Sequence, residues 1–279
     1  MKRPEIIRSV FSLPPVEGEF SIDALCLMAI EKSLGHFTID HEEKVSKCRK
    51  SLYSDLKMAD YDHHASGGIL SFSYTDERFH KLRWNTSSKG DKRIGKKIRD
   101  RSAAVSWIES LNDCRDYEYL GGLPMKKLGA SKVFVTPAGN EFGIDFLAIV
   151  PAFSKSDIFM SKSKGTRVVG QSKLYRSAVT RDKIQSFNDV MSSIRNNKAE
   201  LIDILPAWFR SSNAPIVGFF VAHSGYQSGA RISAEQNGYT LIDSLCASEI
   251  ISCCGKMDHV KNAIDLDSYL WLEIAKLRA

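Results

Sequence analysis

A chain of 279 residues is long enough for one large domain or two modest ones, and 43% hydrophobic content gives ample material for a packed core. Its formal charge of +6 is too moderate to define a function class, so where the charges fall says more than their sum. No apolar run nears the roughly 20 residues that cross a bilayer. Met1-Lys2-Arg3-Pro4-Glu5 lacks the apolar core of a signal peptide, so the expectation is a cytoplasmic protein. The six cysteines show no CxxC spacing and no histidines at zinc-finger intervals, which argues against a structural zinc and for reduced, mostly buried thiols.

Residues 1–88 read as an α+β domain. Leu25, Met28 and Ala29 fall at helical spacing within Ile22–Leu34, and Ser21-Ile22-Asp23 supplies a cap. A second helix is predicted over about Asp40–Asp60, using Val45, Cys48, Leu52, Leu56 and Met58. Gly67–Tyr74 and Phe79–Trp84 then alternate like two strands joined by the four-residue loop Thr75-Asp76-Glu77-Arg78. His63 and His64, beside Asp60 and Asp62, read as a solvated turn, because adjacent histidines on a loop rarely converge on one ion.

Residues 89–115 read as a basic connector. Lys89 to Arg101 concentrates positive charge, and Lys92, Arg93, Lys96 and Lys97 are the candidate nucleic-acid contacts, able to neutralise phosphates and release counterions. A charged linker with no partner is the other reading, and the pattern alone leaves both open.

Residues 116–279 hold the segments with chemistry. Gly143–Val150 is a short apolar run carrying Asp145, and Arg167–Tyr175 has the β-branched content of a strand and carries Gln171-Ser172-Lys173. Alternation along a strand puts Gln171 and Lys173 on one face. If the two strands are neighbours, Asp145 can share a Mg²⁺ with the carbonyl oxygen of Gln171 while the Lys173 ammonium points at the same spot. Taken singly, an Asp at a strand end is as readily a turn residue, and Gln-x-Lys as readily a solvated face. Ser224, in His223-Ser224-Gly225-Tyr226, lacks the G-x-S-x-G pattern of an activated nucleophile and reads as a turn residue. Tyr269, Leu270, Trp271, Leu272 and Ile274 read as the packed face of a C-terminal helix.

The order of segments resembles a known family. Tyr117-Glu118-Tyr119-Leu120, Lys132–Val135, Gly139–Asp145, Gln171-Ser172-Lys173, the helix Val179–Phe187, the strand Ile216–Val221, the helix Ser228–Glu235 and the strand Tyr239–Asp243 follow one another in this order, with a further helix after them. From about Asp116 to Ile251, half the chain, this is similar to the catalytic domain of Mrr-type restriction endonucleases, in the PD-(D/E)xK nuclease superfamily. There the acidic member of the triplet is often replaced by glutamine. The resemblance implies a restriction-endonuclease-like α/β fold, a mixed central sheet flanked by helices, in a metal-dependent DNA endonuclease of restriction or antiphage defence. It makes Asp145, Gln171, Lys173 and Glu118 catalytic. Asp145, Gln171 and Glu118, the last directly or through water, would hold Mg²⁺, with Mn²⁺ as a substitute. Arg181 and Lys183 become further DNA contacts. The implied partners are DNA, other subunits of a defence complex and a second copy of the chain in a homo-oligomer, with no membrane.

Helices followed by a β-hairpin in residues 1–88 are similar to the winged-helix module that such proteins carry before the nuclease. A helical partner-binding or oligomerisation domain fits the same pattern. Two features depart from the family: Glu141 lies four positions before Asp145, and the gap before Gln171 holds Phe153–Thr166 with Lys155, Lys162 and Lys164, either a solvated hairpin loop or a basic loop lying on DNA. These departures leave a second functional reading, a catalytically inactive fold that binds DNA or a partner.

Overall fold

The computed structural model describes residues 1–86, 92–139, 142–151, 165–201, 204–253 and 263–278. Lys89, Glu141, Cys254 and the insert lysines Lys155, Lys162 and Lys164 lie outside them. The chain divides into two units, Met1–Ser110 with Met257–Asp267 and Leu111–Lys256 with Ser268–Ala279.

The first unit runs α1 (Arg3–Ser12), β1 (Phe20–Ser21), α2 (Ile22–Leu34), α3 (Ile39–Ala65), β2 (Phe72–Asp76), β3 (Lys81–Trp84) and α4 (Lys92–Ser110). Its three strands form an antiparallel sheet in the order β1-β3-β2, with Phe20 opposite Leu82 and Phe72 opposite Trp84. Ser21 caps α2, its Oγ accepting the Ala24 N–H at 3.2 Å. Val10, Phe11, Leu25, Ile30, Leu52, Leu56, Phe72, Leu82, Trp84, Ile98 and Ile108 fill the core.

Three expectations change here. The helix α1 was hidden behind Arg3-Pro4-Glu5, although Ile6, Ile7, Val10 and Phe11 recur at helical spacing and all are buried. The helix α3 continues past Asp60 to Ala65, so His63 and His64 are in its last turn and His63 is buried, in place of a solvated turn. The predicted connector over residues 89–115 is in its described part mostly α4, a helix of the first unit whose apolar positions Ile98, Ala104, Val105 and Ile108 are buried while Arg93, Lys96 and Lys97 are exposed. Charge read as a linker was the solvent face of an amphipathic helix.

A buried polar network ties this unit together. The Asp60 carboxylate accepts the Ser71 N–H at 2.8 Å, the Ser71 hydroxyl at 2.5 Å and the Phe72 N–H at 3.0 Å. The fully buried Arg101 of α4 donates to the Ile69 carbonyl at 2.8 Å and to Ser71 Oγ at 2.6 Å. Burial raises the Asp60 pKa, against the donors of Ser71 and Phe72 and the charge of Arg101. Removing the carboxylate strands several donors and a buried guanidinium, so Asp60→Ala is expected to destabilise the first unit by about 3 kcal/mol or more. Denaturant melts check this; a loss under about 1 kcal/mol contradicts the network's role.

The second unit runs α5 (Cys114–Lys127), β4 (Lys132–Val135), β5 (Phe146–Val150), β6 (Thr166–Lys173), α6 (Arg181–Arg195), a 3₁₀ turn (Ala199–Leu201), α7 (Ala207–Arg210), β7 (Ile216–Ala222), α8 (Ser228–Gln236), β8 (Thr240–Asp243) and α9 (Ser244–Cys253). The helix α10 (Ala263–Arg278) closes the chain. Five strands form a mixed sheet in the order β4-β5-β6-β7-β8, antiparallel from β4 to β6 and parallel from β6 to β8. Helices carry both parallel crossovers, α6 before β7 and α8 before β8.

One face of the sheet, through Leu147, Val169 and Phe220, packs with Ile184, Phe187, Met191 and Ile194 of α6 and with Ala230 and Ala234 of α8. The other face meets α5. A Cβ at Gly121 would lie 2.1 Å from Ser172 Oγ and 2.6 Å from the Phe146 ring, so only glycine lets α5 sit this close. In α10 the buried positions are Leu266, Leu270, Glu273 and Ile274 at helical period, whereas Trp271 and Leu272 are 36% and 54% exposed, which corrects the packed face read for them. Burial is also the exception among the described cysteines: Cys26 is buried, Cys114 exposed and the rest intermediate. Among the described residues no helix is long and apolar enough to cross a membrane.

Candidate active site at the β5–β6 seam

Asp145 immediately precedes β5. β5 and β6 are antiparallel with Phe146 opposite Gly170, so Asp145 stands beside the Gly170–Ser172 stretch of β6. Its backbone is clamped on both sides: its N–H donates to the Gly170 carbonyl at 2.9 Å and its carbonyl accepts the Thr136 N–H at 3.1 Å. The residue is 3% exposed, with Oδ2 accepting the Ser172 N–H at 2.6 Å and standing 3.6 Å from Lys173 Nζ. A buried carboxylate beside an ammonium, fixed at the strand ends of a sheet, is an arrangement that packing alone does not require.

Gln171 and Lys173 share the α6 face of β6 with Val169, as the two-residue period demands. The two carbonyls of Gln171 differ in direction. A planar trans peptide points its C=O opposite to its N–H. The Ser172 N–H points to Asp145, so the main-chain carbonyl of Gln171 points the other way, towards β7, where Gln171 pairs with Phe220. The main-chain oxygen facing the Asp145 side is therefore that of Ser172, since a strand residue turns its N–H and C=O to the same neighbour, while the Gln171 side chain lies on the sheet face of Val169. The Ser172 carbonyl went unnoticed in the sequence, because which neighbour lies on each side of β6 is a tertiary fact. The Gln171 amide rests against Gly143, whose Cβ would lie 3.2 Å from both Gln171 Nε2 and Val190. Gly143 has φ of 78°, and the preceding Phe142, with φ of 44°, is 54% exposed in a left-handed conformation that costs a bulky side chain energy.

Glu118 projects from α5 and is paired with Arg115, whose Nη2 also donates to the Tyr119 hydroxyl at 3.0 Å. Among the described residues no three His, Cys, Asp or Glu side chains gather as a metal cluster; the seam brings together Asp145, Gln171 and Lys173. Arg181 and Lys183 lie exposed in the first turn of α6. Lys96 pairs with Asp100 at 2.6 Å on α4, where Arg93 and Lys97 are also exposed; the Lys92 side chain lies outside the described set. Ser224 gives its hydroxyl to the Tyr175 carbonyl at 2.5 Å, the turn role its sequence suggested.

No protein-family model and no curated protein matches this chain. Among solved structures it is similar to the MspJI restriction endonuclease in complex with a 27-mer oligonucleotide, at 16% identity and a TM-score of 0.38, over 69% of this chain and 40% of that one. The chain thus spans less than half the length of that neighbour, and its function has to be argued from its own residues.

Proposed function

We propose that the second unit hydrolyses DNA phosphodiester bonds with Mg²⁺, Mn²⁺ serving as substitute. The observation that carries this reading is the buried Asp145 carboxylate with Lys173 Nζ 3.6 Å away at the ends of two adjacent strands. The donor set fits a hard cation: one carboxylate, the Ser172 carbonyl and the Gln171 amide oxygen, all oxygen and one of them anionic. When bound, the ion lowers the pKa of water and neutralises charge on the scissile phosphate. Asp145 anchors that ion, and the Ser172 N–H fixes the carboxylate's orientation. Lys173 orients the attacking hydroxide and donates to the pentacovalent oxyanion. A neutral Gln171 is a poorer ligand than a carboxylate, so metal would be held weakly until a DNA phosphate added its own oxygens, which would suppress idle cleavage. Glu118 joins, directly or through water, by leaving Arg115.

The Glu118–Arg115 pair also favours a second reading, a fold without catalysis that binds DNA or a partner. Incubating the pure protein with linear and supercoiled plasmid in Mg²⁺, Mn²⁺ or EDTA separates the two: metal-dependent loss of intact DNA supports the nuclease, and persistent intact DNA under all conditions contradicts it.

The first unit supplies DNA affinity in this proposal. Its succession α1-β1-α2-α3-β2-β3 ahead of α4, with the sheet ordered β1-β3-β2, supports the winged-helix reading. Neutralising Lys92, Arg93, Lys96 and Lys97 is expected to flatten the salt dependence of DNA binding by about 0.9 log units for each phosphate the protein no longer neutralises. An unchanged slope removes α4 from the interface. Restriction or antiphage defence, in a homo-oligomer or with further subunits, is the setting we propose.

A further inference from the structure

The first unit carries a groove of about 500 Å³ between the end of α3, the β2–β3 hairpin and the start of α4. We propose that it binds a nucleoside monophosphate, free or as the phosphorylated end of a nucleic-acid strand. Its size is that of a small-molecule site, well beyond what an inorganic anion fills.

Among the described lining residues the charges are of one sign. Arg83 of β3 and Lys97 of α4 both line it, both are exposed, and neither is in an ion pair among the described residues. Glu19, whose charge reaches Arg83, is itself paired with Lys81 at 3.0 Å. No carboxylate is among the described lining residues. His64 holds its Nδ1 2.9 Å from the Gly68 carbonyl; with Nδ1 as the donor, Nε2 is left for a ligand. Two cations match the charge of a phosphomonoester, about −1.5 to −2 at neutral pH, better than the single charge of a diester. Ile69, Leu70 and Ile94 give the groove apolar surface for a base, and the Asn85 amide, which donates to the Leu70 carbonyl at 3.0 Å, supplies a polar edge.

The wall is rigid where the ligand would lie. Arg101 pins the Ile69 carbonyl and the Ser71 hydroxyl, and Asp60 takes the Ser71 and Phe72 N–H groups, so the segment behind the groove is held by buried bonds. A preorganised wall loses little ordering entropy on binding.

The test uses the full chain in EDTA, which keeps it independent of cleavage and therefore of the nuclease proposal. Anisotropy of a 3′-labelled oligonucleotide is measured with a 5′-phosphate and with a 5′-hydroxyl, and deoxynucleoside monophosphates and inorganic phosphate are added as competitors. A gain of about tenfold from the 5′-phosphate, the scale of one strong charge-assisted hydrogen bond, identifies the strand end as ligand. Equal binding of the two oligonucleotides together with saturable binding of a fluorescent nucleoside monophosphate, against weak inorganic phosphate, identifies the free nucleotide. In either case Arg83→Ala and Lys97→Ala each remove most of the gain at unchanged melting temperature, as expected of exposed positions. Binding indifferent to both substitutions, or neither kind of binding in the wild type, overturns the site.

Discussion

Asp145→Asn is expected to abolish Mg²⁺-dependent DNA cleavage. The substitution keeps an oxygen able to accept the Ser172 N–H, so the seam between β5 and β6 stays closed. What it removes is the anionic donor of a set whose other two oxygens are neutral, and a hard dication is held poorly by amide and carbonyl oxygens alone. Thermal stability without metal should change by less than about 1 kcal/mol, because the missing attraction to Lys173 is offset by relief from burying a charge. DNA affinity in EDTA should persist, being carried by phosphate contacts elsewhere. Normal cleavage by the variant would make Asp145 a structural residue; loss of folding would do the same.

Lys173→Ala is expected to slow cleavage by at least about a hundredfold, the usual effect of deleting a charged donor aimed at transition-state charge. Lys173 lies at the last position of β6 with a side chain one quarter exposed, so little packing goes with it. The readout that separates chemistry from binding is a drop in single-turnover rate at saturating DNA with the affinity nearly unchanged. A wild-type rate would remove Lys173 from the site. Because the substitution also leaves the Asp145 carboxylate without its nearby ammonium, a small loss of stability accompanies it.

Much of the second unit was legible because its strands carry strong local signals. Lys132–Val135 and Ile216–Ala222 are runs of β-branched and aromatic residues bounded by turn residues, and the strand bearing Gln171 and Lys173 could be placed on parity alone. Which carbonyl of that triplet faces Asp145 was not legible, since it depends on which neighbour lies on each side of β6, a tertiary fact. Glu118 shows the same limit: its place on a helix could be read, its pairing with Arg115 could not. In the first unit α2 was read to the residue at both ends with Ser21 as its cap, and the fold ends it at Gly35 in the left-handed conformation. The helix α4 escaped because glycine and dense positive charge at its start outweighed the apolar period that begins at Ile98. Arg101 lay inside the run read as solvated charge and is fully buried on the Asp60–Ser71 network, a role that only the fold assigns.

The most direct test of the central claim is cleavage of supercoiled plasmid by wild-type protein and Asp145→Asn in parallel, in Mg²⁺ and in EDTA, with a melting curve for each protein. The account predicts nicked and linear products only from the wild type with Mg²⁺, and two folded proteins with near-identical melting. Cleavage by both proteins, or intact plasmid from a folded wild type in Mg²⁺, contradicts it.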